Sequence, residues 1–223
     1  MSATMPTSDD TSLRKKLQRI DKNTCGDHPR LTPDDVVLYF GDYSPGAGGQ
    51  HSSANDLIYD FKMPMSKKGE RLWHHKANKI AKAVRLISQA LGPWLNELTL
   101  VPVLPSKAKS NLLHDDRVLS MLHQINVPIG QTLDVRELVI QNGDRIAAHE
   151  AIGSRPTVEE LSAMLQINEM EISKVRERIV IVDDVLTNGT SFRAMKTILS
   201  ARFPSSIIVG LYLARTVLER PDF

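Results

Sequence analysis

One stretch limits what this chain can fold into more than any other: residues 178–192, Arg-Ile-Val-Ile-Val-Asp-Asp-Val-Leu-Thr-Asn-Gly-Thr-Ser-Phe. Its β-branched run, 179–182, has no polar face, as expected of a parallel strand buried on both sides. Two adjacent carboxylates, Asp183 and Asp184, close the run. Val185 and Leu186 then lead into five small or polar residues, Thr187, Asn188, Gly189, Thr190 and Ser191. Beyond them Phe192, Met195, Ile198 and Leu199 recur at helical spacing. The pattern predicts strand, acidic pair, anion-binding loop and helix, in that order. Small residues let backbone N–H groups approach an anion closely, and the helix start adds free amides and a positive dipole end. The hydroxyls of Thr187, Thr190 and Ser191 supply further donors. A phosphate fits that cradle, with the carboxylates placed to accept hydrogen bonds from sugar hydroxyls. The plainer alternative is a strand that ends in an Asp pair and a conventionally capped helix.

The same stretch resembles the phosphoribosyl-pyrophosphate (PRPP) signature of the type I phosphoribosyltransferases: four apolar residues, two acids, two apolar residues and a Thr/Ser/Gly loop. The resemblance implies that Asp183 and Asp184 hold the ribose hydroxyls and that Thr187 to Ser191 bind the 5′-phosphate, with Val185 and Leu186 between them also in the PRPP site. Asn188 departs from the pattern, which usually has Thr there. Asn still donates and accepts, so binding is expected to survive.

Totals restrict the setting. A chain of 223 residues suits one domain, or one domain with an appendage. Folding at that length buries roughly 70% of the unfolded surface, so no disulfide or structural metal is needed. A net charge of +2 offers no argument for a nucleic-acid or membrane partner. Cys25 is the only cysteine, which leaves no disulfide or cysteine-based zinc site within one chain and fits a reducing cytoplasm. No apolar run approaches the roughly 20 residues that span a bilayer, and the first residues are too polar for a secretory signal. A cytoplasmic protein is expected.

Along the chain, residues 1–12 are rich in Ser, Thr and Asp and are expected to be disordered. Leu13, Leu17 and Ile20 keep helical spacing on a basic segment, which reads as a solvated tail or a short surface helix. Residues 35–43 read as a strand. The Ser-Pro-Gly-Ala-Gly-Gly run at 44–49 must be a loop; lacking a Walker Lys-Ser/Thr ending, it reads as a connection. Asp56, Tyr59, Asp60 and Lys62 follow, with no role assigned. The clearest helical periodicity covers 70–91, through Trp73, Ile80, Val84, Ile87 and Leu91, and stops at Gly92-Pro93. Lys76, Lys79, Lys82 and Arg85 occupy its other face, which is expected to be solvated. His74 and His75 lack a third ligand at matching spacing and read as surface residues.

Residues 98–103 form the next strand candidate, followed by Leu-Pro-Ser-Lys-Ala-Lys. That order puts Ser106, Lys107 and Lys109 at the carboxyl edge of a sheet, where ligands of open α/β sheets bind. The lysines suit a pyrophosphate. Asp115 and Asp116 read as dipole-favoured caps of a helix carrying Val118, Leu119, Leu122 and Ile125. Arg117 is a further candidate for pyrophosphate or base. Residues 127–129 and 138–140 suggest edge strands, and 141–144 a turn. Arg145, His149 and Arg155 lie in or beside a long loop. Thr157 and Glu160 form a capping box, opening a helix expected to carry Leu161, Met164, Leu165 and Asn168. Residues 206–213 are the last strand.

The resemblance widens over roughly 56–216 to the ComF-like branch of the phosphoribosyltransferases. It rests on Tyr-Asp-Phe-Lys before an amphipathic helix, Val-Pro-Val with Pro-Ser-Lys, a Pro-Thr-Val-Glu-Glu helix, and a last strand ending Leu-Ala-Arg-Thr. Many members of that branch begin with a cysteine-rich zinc ribbon, for which Cys25 alone is not enough. The implied architecture is α/β, an open parallel sheet flanked by helices, with a small N-terminal hood over the acceptor. Residues 1–30 are expected to be disordered or loosely packed, 31–70 to form the hood and 71–223 the core. The implied activity is phosphoribosyl transfer from PRPP to a nitrogenous base or amine, with Mg²⁺ held mainly through PRPP and no metal cluster on the protein. Asp183, Asp184 and Lys107 would carry catalysis, Ser106 and Lys107 would face pyrophosphate, and Arg117, Arg145 and Arg155 are further loop contacts. A homodimer is compatible with this reading. The alternative is a catalytically weak module that senses PRPP or a nucleotide, in DNA uptake or another nucleic-acid-linked pathway.

Overall fold

The computed structural model describes residues 13–141 and 156–218. The expected disorder of 1–12, the end of the 141–144 turn, and Arg145, His149 and Arg155 lie outside the described residues.

In chain order the elements are β1 (Leu13–Arg19), β2 (Val36–Tyr43), α1 (Ser53–Phe61), α2 (His74–Leu91), β3 (Leu98–Pro102), α3 (Arg117–His123), β4 (Val139–Gln141), α4 (Val158–Ala163), β5 (Leu165–Ile167), β6 (Arg178–Leu186), α5 (Thr190–Arg202) and β7 (Ile207–Thr216). Five strands form the central sheet in the order β1-β2-β7-β6-β3. Four are parallel, and β1 runs antiparallel along β2. β4 and β5 form a separate antiparallel pair.

Alternation along β6 builds two cores. Val180 and Val182 face α1, α2 and α3, joining Phe40, Leu57, Ile87 and Leu122. Ile179 and Ile181 face α4 and α5, joining Leu161, Phe192, Met195 and Leu199. A strand buried on both sides is apolar at every position, and that is what 179–182 encode. The outer edge of β3 is covered by a short segment: Leu100 donates to the Asp134 carbonyl at 2.8 Å, and Arg136 donates back to Leu100 at 2.9 Å. No helix among the described residues is long and apolar enough to cross a membrane.

Five expectations are corrected. Residues 13–19 form a strand, neither a helix nor a loose tail. A spacing of four is even, so Leu13 and Leu17 share one face of a strand as readily as of a helix. Leu13 and Leu17 pack on the α1–α3 core and Ile20 on the other, with a register shift against β2 between Leu13 and Gln18. Residues 31–70 do not stand apart as a hood: β2 pairs with β7 inside the sheet, and Leu57, Ile58 and Phe61 of α1 are fully buried in the first core. Helix α2 starts at His74, and Gly92 stays right-handed (φ −43°) and leads into a 3₁₀ turn rather than a left-handed stop. Residues 127–129 are no strand, and Ile129 is fully exposed. Helix α4 opens with the expected capping box, in which Thr157 accepts from the Glu160 amide and Glu160 from that of Thr157. It ends at Ala163, because 165–167 pair with β4.

Candidate functional site

The carboxyl ends of β3 and β6 open onto one cleft. Ser106 and Lys107 line it from the loop after β3, Asp183 and Asp184 from β6, and residues 185–191 from the turn into α5. Apart from Lys109, the described residues expected at the site are therefore brought together, Arg117 included. Lys109 is the exception among the expected cations: it is exposed and pairs with Glu137 at 2.6 Å. The Lys107 carbonyl accepts from His114 Nδ1 at 2.8 Å, which ties the lysine loop back on itself.

The turn at 187–191 is built to present amides. Gly189 adopts φ +90°, a left-handed conformation that side chains disfavour. A Cβ there would also lie 2.9 Å from Cδ2 of Leu31. Asn188 Oδ1 accepts the Thr190 amide at 3.1 Å and its hydroxyl at 3.0 Å. The amides of Ser191 and Phe192 have no acceptor among the described residues, the ordinary state of a helix start that awaits an anion or water.

Successive strand residues point to opposite faces, which separates the two acids. Asp184 turns toward α3 and is 3% exposed. Arg117 donates to its Oδ2 and Lys62 Nζ stands 3.6 Å from Oδ1. Burial alone would raise the Asp184 carboxyl, but Lys62 and Arg117 outweigh it and hold the group well below its usual range. Asp183 lies beside Tyr212 and, among the described residues, accepts only the Asp184 amide, at 2.8 Å. Burial first, and the Asp184 charge second, push Asp183 up to about 7. Burial first, and the Asp183 charge second, push the Tyr212 phenol well up.

Behind Arg117 lies a partly buried relay that sequence reading misses. Asp115 and Asp116 cap α3 only in part. Asp116 stands at the cap and makes no side-chain cap bond. Asp115 accepts the Arg117 amide at 3.2 Å, but its Oδ2 also accepts Arg117 Nη1 at 2.8 Å and Lys76 Nζ at 2.6 Å. Nor does Lys76 lie on a solvated face. It is 4% exposed, donates to the Met63 carbonyl as well, and burial lowers its ammonium. Lys79 is partly buried and pairs with Asp56 at 2.7 Å. The Asp-Phe-Lys order ending at Lys62 is visible in the sequence without a role, and nothing local marks Lys76 as buried. Among the described residues, no group of three or more His, Cys, Asp or Glu side chains converges on a metal position. Neither a protein-family model nor a curated protein matches the chain.

Proposed function

We propose that the chain has a type I phosphoribosyltransferase fold and transfers phosphoribosyl from PRPP to a nitrogenous base or amine, releasing pyrophosphate. One observation carries the reading: an acidic pair, an amide-presenting turn at a helix start and a Ser-Lys loop meet in one cleft at the carboxyl ends of parallel strands. On this reading the Ser191 and Phe192 amides and the turn hydroxyls hold the 5′-phosphate. Asp183 and Asp184 accept from the ribose hydroxyls. Lys107, with the Ser106 hydroxyl, faces the pyrophosphate that leaves with the bonding electrons of the anomeric carbon. The acceptor nitrogen then bonds to that carbon through its lone pair, and its proton leaves to solvent. The chain contributes position and fixed charge rather than a covalent intermediate. Mg²⁺ would come bound to PRPP oxygens, compatible with an acidic pair of which Asp184 is already engaged by cations.

A second reading, a PRPP or nucleotide sensor without turnover, is favoured by two details. Asn188 withdraws the Thr190 donors from the cradle, and Arg117 occupies Asp184. Pyrophosphate release from PRPP and Mg²⁺ with a panel of bases and amines separates the two. Release with one acceptor is expected. Binding of PRPP without release across the panel supports the sensor, and binding of neither PRPP nor a nucleotide defeats both.

A further inference from the structure

A cradle made of N–H groups has to turn its C=O groups away, and a buried C=O needs a donor of its own. Here two donors come from far upstream. His28, 159 residues earlier, donates from Nδ1 to the Thr187 carbonyl. The Arg30 amide donates to the Asn188 carbonyl at 2.9 Å. Leu31 packs where Gly189 lacks a side chain. His28 is fully buried, and its Nε2 has no partner among the described residues. Because Thr187 offers an acceptor, the ring proton sits on Nδ1; a second proton on the unpartnered, buried Nε2 is costly. The segment is clipped at both ends. Asp27 pairs with Arg215 of β7 at 3.1 Å, and Asp35 with Lys196 and Arg193 of α5 at 2.6 and 3.2 Å. Residues 28–31 do not line the cleft themselves.

We infer that residues 28–31 form a brace that aims the amides of 187–191 at a bound anion, with His28 as a positioning residue. This rests on reading 187–191 as a phosphate cradle. Without the brace, the Thr187 and Asn188 carbonyls are free to rotate toward the cleft, where they repel an anion.

Inorganic phosphate, titrated into the full chain and followed through the Gly189, Ser191 and Phe192 amide signals by NMR, reads the cradle without PRPP chemistry. His28→Asn keeps an N–H donor near the position of Nδ1, whereas His28→Gln carries it one bond further out. The Asn variant is expected to bind phosphate like the wild type, and the Gln variant about tenfold more weakly, as for one lost hydrogen bond. Should His28→Gln not fold, Leu31→Ala leaves both donors and is expected to weaken phosphate about threefold by loosening a preorganised loop. In the wild type, ring-nitrogen shifts are expected to report a neutral Nδ1–H imidazole at about pH 6, where a free histidine is mostly charged. Equal phosphate affinity in all variants, or a charged ring at that pH, overturns the brace. Phosphate shifts confined to other amides overturn the cradle and the brace together. Phosphate binding at these amides without PRPP turnover leaves the brace standing and removes only the transferase reading.

Discussion

Arg117 donates to Oδ2 of Asp184 from both Nε, at 2.9 Å, and Nη2, at 2.7 Å. An α3 side chain thereby neutralises the acid near the end of β6. Its third contact, Nη1 to Asp115, continues the alternation of charge to Lys76. Buried Asp184 and partly buried Asp115 each have a cation at hydrogen-bond distance, which is the condition for keeping a carboxylate ionised away from water.

Removing that guanidinium should therefore expose the repulsion it suppresses. Arg117→Met leaves Asp183 and Asp184 adjacent, with Lys62 the remaining cation within ion-pair distance among the described residues. A loss of about 3 kcal/mol in urea unfolding is expected at pH 8, the range for breaking a buried pair. The loss should shrink at pH 5, where the pair takes up a proton more readily. An identical loss at both pH values would count against the electrostatic role.

Asp184 is also the proposed ribose acceptor. Asp184→Asn is expected to weaken PRPP binding at least tenfold, about 1.4 kcal/mol, in calorimetry. Unchanged affinity would remove Asp184 from the ribose site.

Asp183 supplies a pH signature. Burial holds its carboxyl up to about 7 in the folded chain. Between about pH 4 and pH 7 the folded state keeps a proton that the unfolded state has released. This stabilisation is present at the acid end of the window and is lost as pH rises through 7, at up to about 1.4 kcal/mol per pH unit. Asp184, held low, acts in a different window: its stabilisation is present above about pH 4 and is lost as pH falls further. His28 opposes Asp183, since burial lowers its imidazole and the unfolded chain takes up the proton first. The difference between wild type and Asp183→Asn in urea midpoint, followed from pH 4 to 8, isolates the Asp183 contribution. A difference that does not vary with pH would show that Asp183 is ionised throughout.

Gly189 faces two separable obstacles to a side chain. Gly189→Ala is expected to cost about 1–2 kcal/mol from the left-handed backbone alone, and more from the close approach of Leu31. Adding Leu31→Ala should recover the steric part and leave the backbone part, measured by thermal unfolding of the single and double variants. Full recovery would mean that conformation contributes nothing.

Patterns confined to a few neighbours are legible in the amino-acid order alone. Residues 178–192 spell out a strand buried on both faces, an acid pair and a helix start, and β6 and α5 occupy those positions. Thr157 and Glu160 announce the capping box, since its bonds close within three residues. The spacing of Leu13 and Leu17 misleads, because an interval of four satisfies a helix and a strand alike. Only the neighbouring edge of β2 settles it. Leu165 misleads in the same way until β4 claims it.

The sequence by itself determined that the acid pair, the 187–191 turn and the Ser106-Lys107 loop follow the carboxyl ends of strands, because backbone period and turn chemistry are local. Tertiary structure decided which charges are bare and which are held. Lys76 looks like any lysine on an amphipathic helix until Asp115 meets it in the interior. His28 has no visible purpose until the chain returns to place Thr187 beside it. Burial and pairing are properties of the space around a residue, and residues far apart in sequence create that space.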